Sequence, residues 1–393
     1  MTSRYASFHY TTRSDVVVIE RNGSSSLSRA KKRKMINIDT YKITSFSKLE
    51  KGGSFTYSAP SNIALVKYWG KKDNQIPANP SLSFTLNHCK TITTLQFEPK
   101  AEKGISFDLL FEGKSKESFR PKIQKYFERI QELCPYILDY HFTIDTQNTF
   151  PHSSGIASSA SGMAAMSVNI MALERVIAEK QSEGYYEQKA SILARLGSGS
   201  ACRSIKGNIV VWGQTESIEN STDLFGVPFT YEVNAIFENY QDSILLVDKG
   251  EKQVSSTVGH ELMHGHPFAQ QRFAQAHTNI AQLKDILKSG NLEQFIALVE
   301  SEALTLHAMM MTSMPYFILM KPNTLEIIQK IWKFREETHV PVCFTLDAGA
   351  NVHVLYPNKY KTEVQNFITN DLAGHCQNGQ FIHDEMGFGA QQL

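Results

Sequence analysis

Cysteine is scarce in this sequence. There are five in 393 residues (Cys89, Cys134, Cys202, Cys343, Cys376), an odd number, widely scattered and with no C-x-x-C pair. That argues against a disulfide frame or a structural zinc, and for a reducing, cytoplasmic setting. No apolar run approaches the roughly 18 residues a membrane span needs. The net charge is +1, so no excess of one sign draws nucleic acid or a membrane surface. No internal repeat is visible. What remains is the composition of a soluble globular chain, 41% hydrophobic and 20% charged, long enough for two domains.

The charge is uneven. Residues 1–34 hold about eight Lys or Arg and two acids, leaving 32 basic against 37 acidic residues in the rest. The run Arg29-Ala-Lys-Lys-Arg-Lys34 lacks apolar periodicity and the apolar region of a secretory signal. A basic arm that binds nucleic acid is one reading. The other, preferred here, is a segment outside the functional protein, with Met35 as the start. Residues 1–50 are expected to be a weakly ordered extension.

The chain is organised around Phe150-Pro-His-Ser-Ser-Gly-Ile-Ala-Ser-Ser-Ala-Ser-Gly162. A strand reads before it at His141–Asp145, and a helix after it, running to about Ala178. Helix starts carry unpaired N–H groups and partial positive charge, which suit a phosphate. Gly155 and Ala157 let the backbone approach closely, and Ser158 and Ser159 add hydroxyls for a phosphate or, at Ser158, its Mg²⁺. The plainer alternative is a capped helix packed by small residues. The stretch lacks the Gly-Lys-Ser/Thr ending of a Walker A loop and the spacing of a Rossmann glycine motif.

Three other places draw attention. Lys67-Tyr-Trp-Gly-Lys-Lys-Asp73 sets aromatics between cations, where Tyr68 and Lys71 could hold a phosphorylated ligand or form a solvated strand end. Gly197-Ser-Gly-Ser-Ala-Cys-Arg-Ser204 is a second small-residue loop, with one cation, Arg203, whose planar fork fits a carboxylate or phosphate. Leu346-Asp-Ala-Gly-Ala-Asn351 puts Asp347 where a strand meets a glycine turn, a place for an acid or base and equally for a turn cap. His307 and Met309–Met311 read as core.

Phe55–Tyr57 and Ile63–Val66 are predicted as strands broken by Ser58–Asn62. Ser81–Leu86 and Thr91–Phe97 are predicted as a hairpin. Helices are expected at 122–133, 186–196, 268–287, 292–310, 324–334 and 361–369, with strands at 105–111, 207–212, 243–247, 340–346 and 352–356. The fold class is α+β, with a sheet-rich domain over 51–249 carrying both loops, a helix-rich domain over 250–393, and the ligand in the crevice between.

Together these segments resemble the mevalonate diphosphate decarboxylases of the GHMP kinase superfamily. The match rests on Ser61-Asn-Ile-Ala-Leu-Val-Lys-Tyr-Trp-Gly-Lys71, Gly155-Ile-Ala-Ser-Ser-Ala160, Gly197–Ser204 and Leu346–Asn351, with Val254-Ser-Ser-Thr257 as a weaker fifth. They fall in the family's order over about residues 57–357. Ala350 stands where the family commonly has Pro, Pro80 where Ser is common, and His152-Ser-Ser where smaller residues are usual.

The resemblance implies a GHMP-kinase-like two-domain fold. Its first domain would be like the second domain of ribosomal protein S5, and its second ferredoxin-like. It implies ATP and Mg²⁺ as cofactors, mevalonate 5-diphosphate as substrate, and a homodimer. ATP would phosphorylate the C3 hydroxyl; phosphate and CO₂ would leave, giving isopentenyl diphosphate. Asp347 would orient that hydroxyl or take its proton, and Arg203, with Ser198 and Ser200, would hold the carboxylate. Tyr68, Lys71, Ser256 and Thr257 would bind the diphosphate end. Gly155, Ala157, Ser158, Ser159 and Lys252 would contact ATP phosphates. The rivals are a kinase of the same superfamily and a non-catalytic metabolite-binding regulator.

Overall fold

Ser58–Asn62 does not interrupt its strand. β1 (Gly53–Val66) runs through it, and the irregularity is absorbed as a register shift against β2 between Pro60 and Asn62. Pro60 lacks an N–H, so a bulge there loses no ladder bond. Nor do residues 81–97 form a hairpin: β2 (Ser81–Pro99) is one long strand. Its central residues pass Pro60–Asn62 as a bulge, and the N–H groups of Asn87, His88 and Cys89 donate to the Asp384 carboxylate at 2.9, 2.9 and 2.7 Å. A remote acid thus satisfies donors that a turn would otherwise have to satisfy.

The computed structural model describes residues 36–151, 156–250 and 256–393, with backbone alone at Ser256 and Thr257. The basic run and the start expected at Met35 lie outside them. From Ile38 the lead-in is packed rather than loose: Tyr41 is buried, stacks on Tyr185 at 5.5 Å and meets Phe225 edge-on.

After β2 come β3 (Phe107–Phe111), β4 (Lys114–Ser115), α1 (Arg120–Ile130) and β5 (Tyr140–Asn148). The first sheet continues across the small-residue loop to α2 (Ser158–Ile177), α3 (Glu183–Gly197), β6 (Ile209–Trp212) and β7 (Val227–Pro228). Its order is β12-β1-β2-β5-β3-β4, with β6 on the far half of β2, β7 beside β6, and β12 (Gln391–Gln392) returning from the chain end. α2 is apolar almost all round because it lies between this sheet and α3.

β8 (Gln241–Leu245) precedes the boundary expected at 249/250 but belongs to the second sheet. α4 (Ser256–Glu261), α5 (Ala269–Ser289), α6 (Leu292–Met311), α7 (Pro322–Thr338), β9 (Cys343–Thr345), β10 (Val352–Tyr356), α8 (Lys361–Phe367) and β11 (Phe381–Glu385) follow. The second sheet has the order β11-β8-β10-β9. Gly290, with φ +76°, ends α5, and the Asn291 side chain accepts from Gln294 N–H to start α6. One apolar cluster joins Ile63, Leu65 and Leu82 of the first sheet to Ile280, Leu283 and Phe295 of α5 and α6, so residues 36–393 form one body.

Candidate active site

β1 ends by delivering Lys67 into a buried polar knot. The Lys67 N–H donates to Glu302 Oε2 at 2.9 Å, and its carbonyl accepts from Arg272 and Asn79 at 3.0 and 2.9 Å. Glu302 also takes both Arg272 terminal nitrogens, at 3.0 and 2.6 Å. Arg272 of α5 and Glu302 of α6 are both without solvent exposure, so their pairing fixes the end of β1 against the helices. From that fixed backbone the Lys67 ammonium reaches Asp347 Oδ1 at 3.0 Å. Lys67 is 1% exposed, while the Asp347 side chain retains 32%. Burial lowers the Lys67 pKa, and Asp347 opposes that shift.

Asp347 follows β9 in a tight turn. Its carbonyl accepts from Gly349 N–H at 2.7 Å and from His307 Nε2 at 3.1 Å. Burial pushes His307 down to about 4, so it is a neutral donor near pH 7. His307 is therefore core, as its helical stripe implied, and it also holds the Asp347 turn.

Arg203 lies in the 3₁₀ turn Gly199–Ser204, buried, with Nε on Asn62 Oδ1 at 3.2 Å and Nη1 on the Ser81 hydroxyl. Nη2 has no hydrogen-bond partner among the described residues. The turn comes close to Tyr68: a Cβ at Gly199 would lie 2.9 Å from the Trp212 ring and 3.0 Å from Tyr68 Oη. Only glycine fits there. Tyr68 is packed on Trp212 and His260, with centroids at 4.7 and 4.2 Å, and its buried hydroxyl has no partner among the described residues. Lys71 pairs with Glu261 at 3.0 Å.

At the other end α2 begins at Ser158 behind Ala157, whose φ is +42°, with no side-chain cap. A left-handed alanine is strained by about 1 kcal/mol or more, and such strain clusters where ligands bind. The Ser159 hydroxyl donates to Ser198 Oγ at 3.0 Å and receives the Lys122 ammonium. Lys122 is exposed as a residue, and desolvation of its ammonium draws its pKa down to about 8.

Tyr68, Lys71, Ala157, Ser158, Ser159, Ser198, Ser200, Arg203 and Asp347 all line a single cleft of about 910 Å³. Gly155 and Lys252 lie outside the described residues. Ser256 and Thr257 open α4, whose Glu261 also lines the cleft, and their side chains are outside the description. Among the described lining residues seven are Lys or Arg and three are Asp or Glu, a surplus of four positive charges. That surplus, the uncapped helix start and the unpartnered Tyr68 hydroxyl fit a polyphosphate ligand. Among the described residues no cluster of three His, Cys, Asp or Glu could hold a metal.

Three residues with clear geometry were not singled out from the sequence. Lys67 sat inside a recognised motif, directly after an apolar strand, and that was its one signal. Lys122 and His260 carried none: each reaches the cleft through tertiary packing.

This chain belongs to the diphosphomevalonate decarboxylase family. Residues 59–223 match the family's "Diphosphomevalonate decarboxylase-like N-terminal domain", and 243–391 match its "Mevalonate 5-diphosphate decarboxylase C-terminal domain". A diphosphomevalonate decarboxylase of Ganoderma lucidum is 30% identical over 335 residues, 80% of each chain. A phosphomevalonate decarboxylase of Haloferax volcanii is 28% identical over 312 residues, 78% of this chain and 89% of its own. A solved structure titled MDDEF in complex with MVAPP, AMPPCP and magnesium superposes with TM-score 0.74 at 26% identity, covering 87% of this chain and 99% of that one. The α+β, two-domain architecture expected from the sequence is that of these structures.

Proposed function

We propose that this protein catalyses the ATP-dependent decarboxylation of mevalonate 5-diphosphate to isopentenyl diphosphate, releasing ADP, phosphate and CO₂. The observation that carries the reading is the convergence of Asp347, Arg203 and the start of α2 on one cationic cleft. The solved relative with an ATP analogue and magnesium supports ATP and Mg²⁺ as the cofactors.

The chemistry follows from the groups. A tertiary alcohol is a poor nucleophile, and Asp347, held by Lys67, orients the C3 hydroxyl and accepts its proton. Ser158, Ser159 and Lys122 hold the phosphates at the helix start, in line with that hydroxyl. Mg²⁺, when bound, neutralises the phosphate oxygens. Phosphorylation makes the oxygen a leaving group, and as it departs Asp347 faces the positive charge that builds at C3. Arg203, whose Nη2 has no partner among the described residues, holds the carboxylate with Ser198 and Ser200 until the C–C bond breaks and CO₂ leaves. Tyr68 and Lys71 take the phosphorylated end, with Ser256 and Thr257; Ala157, Gly155 and Lys252 contact ATP. In this reading the part from residue 51 to β7 forms the ATP-binding half, and the part from β8 onward supplies Asp347.

Two finer points are proposed with it. No helix among the described residues is long and apolar enough to cross a membrane, and the five cysteines are free and buried, which supports a cytoplasmic protein. A homodimer is proposed, with the exposed Met314, Tyr316 and Ile318 as apolar surface for the contact. The Haloferax relative favours a second reading, in which a 5-monophosphate is the substrate.

The test incubates the protein with ATP, Mg²⁺ and either phosphorylated mevalonate, reading ADP, phosphate and CO₂ together. The three appear in equal amounts if the proposal holds. ADP with a phosphorylated acid and no CO₂ would make the protein a kinase.

A further inference from the structure

His260 is a cleft residue that the mechanism above does not use. It lies on α4, buried, with its ring at 4.2 Å from Tyr68 and 4.6 Å from Trp69. Its Nδ1 accepts the Gly70 N–H at 3.0 Å. Gly70 has φ +98°, and a Cβ there would press on Ala78 and Phe273 at 3.1 Å, so this N–H is held firmly in place. An Nδ1 that accepts leaves the proton of the neutral ring on Nε2.

That Nε2–H has no partner among the described residues, although the residue lines the cleft. A second polar atom beside it is also unanswered, the buried Tyr68 hydroxyl. Two packed, tilted rings therefore present polar atoms without a partner among the described residues next to Lys71, in a cleft rich in positive charge. A buried hydroxyl without a partner is costly unless a ligand takes it up, and His260, which lines the same cleft, can share that ligand. Burial, then Lys71, then Arg203 hold His260 down to about 3, so it donates as a neutral imidazole.

We propose that His260 Nε2–H donates to a phosphate oxygen at the phosphorylated end of the substrate, beside Tyr68 and Lys71, and sets the preference between a 5-diphosphate and a 5-monophosphate. This rests on the function proposed above. It names a binding residue that acts by hydrogen bonding, with no proton exchanged in turnover.

The test compares His260→Met with His260→Gln. The thioether keeps bulk against the two aromatic rings and a weak acceptor for Gly70, but no donor; the amide keeps both. His260→Met should raise the KM of the diphosphate substrate about tenfold, the scale of a lost hydrogen bond to a charged group. The KM for ATP and kcat should stay within about twofold, and His260→Gln should recover most of the loss. The ratio of kcat/KM for diphosphate over monophosphate should fall with His260→Met. In parallel, calorimetry with inorganic pyrophosphate, the nucleotide site filled with ADP, should show the same weakening. That arm reports on His260 even if mevalonate turnover itself fails. His260→Leu substitutes if the methionine variant does not fold. Unchanged diphosphate KM and pyrophosphate affinity would overturn the proposal. So would equal losses for both substrates and ATP that track a fall in Tm, since those mark a purely structural role.

Discussion

The Lys67 ammonium lies 3.0 Å from Asp347 Oδ1, one partner almost sealed from solvent and the other a third exposed. The two come from distant parts of the described chain, yet both line the one cleft. A buried ammonium is costly, and a pair of this kind is not evidence of stability by itself. Its worth lies in orienting a reactive carboxylate.

Replacing that ammonium should therefore cost activity more than stability. Lys67→Met is expected to lower kcat by about 10²-fold. The Asp347 side chain keeps 32% of its exposure, so the unfolding free energy should move by about 1 kcal/mol or less. Steady-state kinetics beside urea denaturation checks both parts.

The Arg272–Glu302 pair behaves in the opposite way. Both groups are fully buried, and Glu302 also receives the Lys67 N–H and Asn279. Arg272→Ala leaves a sealed carboxylate short of donors and should destabilise the fold by about 3–5 kcal/mol. Denaturant midpoints measure it, and a loss under about 1 kcal/mol would contradict the role assigned to the knot.

Lys122 gives a pH signature. Its pKa of about 8 means that it loses its charge as pH rises through 8, while an unperturbed lysine stays charged to above 10. The KM for ATP should climb from pH 7.5 to 9, and Lys122→Met should raise it at pH 7.5 and flatten the climb.

Two neutral buried histidines make stability fall in acid. His260 and His307 sit near 3 and 4 in the folded protein, below the usual 6.5. Between those values the unfolded chain binds protons that the folded chain does not, so stability drops as pH falls below 6.5. At pH 5 each should cost on the order of 2 kcal/mol. A thermal melt series from pH 7.5 to 5 should show the fall, and His260→Met should lessen it.

Local chemistry made much of this legible. The small-residue loops, the strand ends at Lys67 and Asp347, and most helices were readable from periodicity and from Gly, Ser and Asn at their ends. Failures came where a distant residue changed the local answer. Asn87–Lys90 looks like a turn until Asp384, nearly 300 positions later, takes its three N–H groups. β8 looks like the last strand of the first domain until β10 and β11 pair with it. The strand at Phe381–Glu385 was missed because it is partly buried and mixes polar with apolar residues. At the site, His260 and Lys122 gain meaning only from Gly70, Tyr68 and Ser159, which the fold places beside them.

The most direct measurement of the central claim is made on Asp347→Asn. ATP binding by calorimetry and CO₂ release from carboxyl-labelled mevalonate 5-diphosphate are followed on one preparation. The account predicts ATP affinity within about threefold of the parent and CO₂ release reduced about 10³-fold or more. An asparagine variant that still releases CO₂ at a tenth of the parent rate would contradict it.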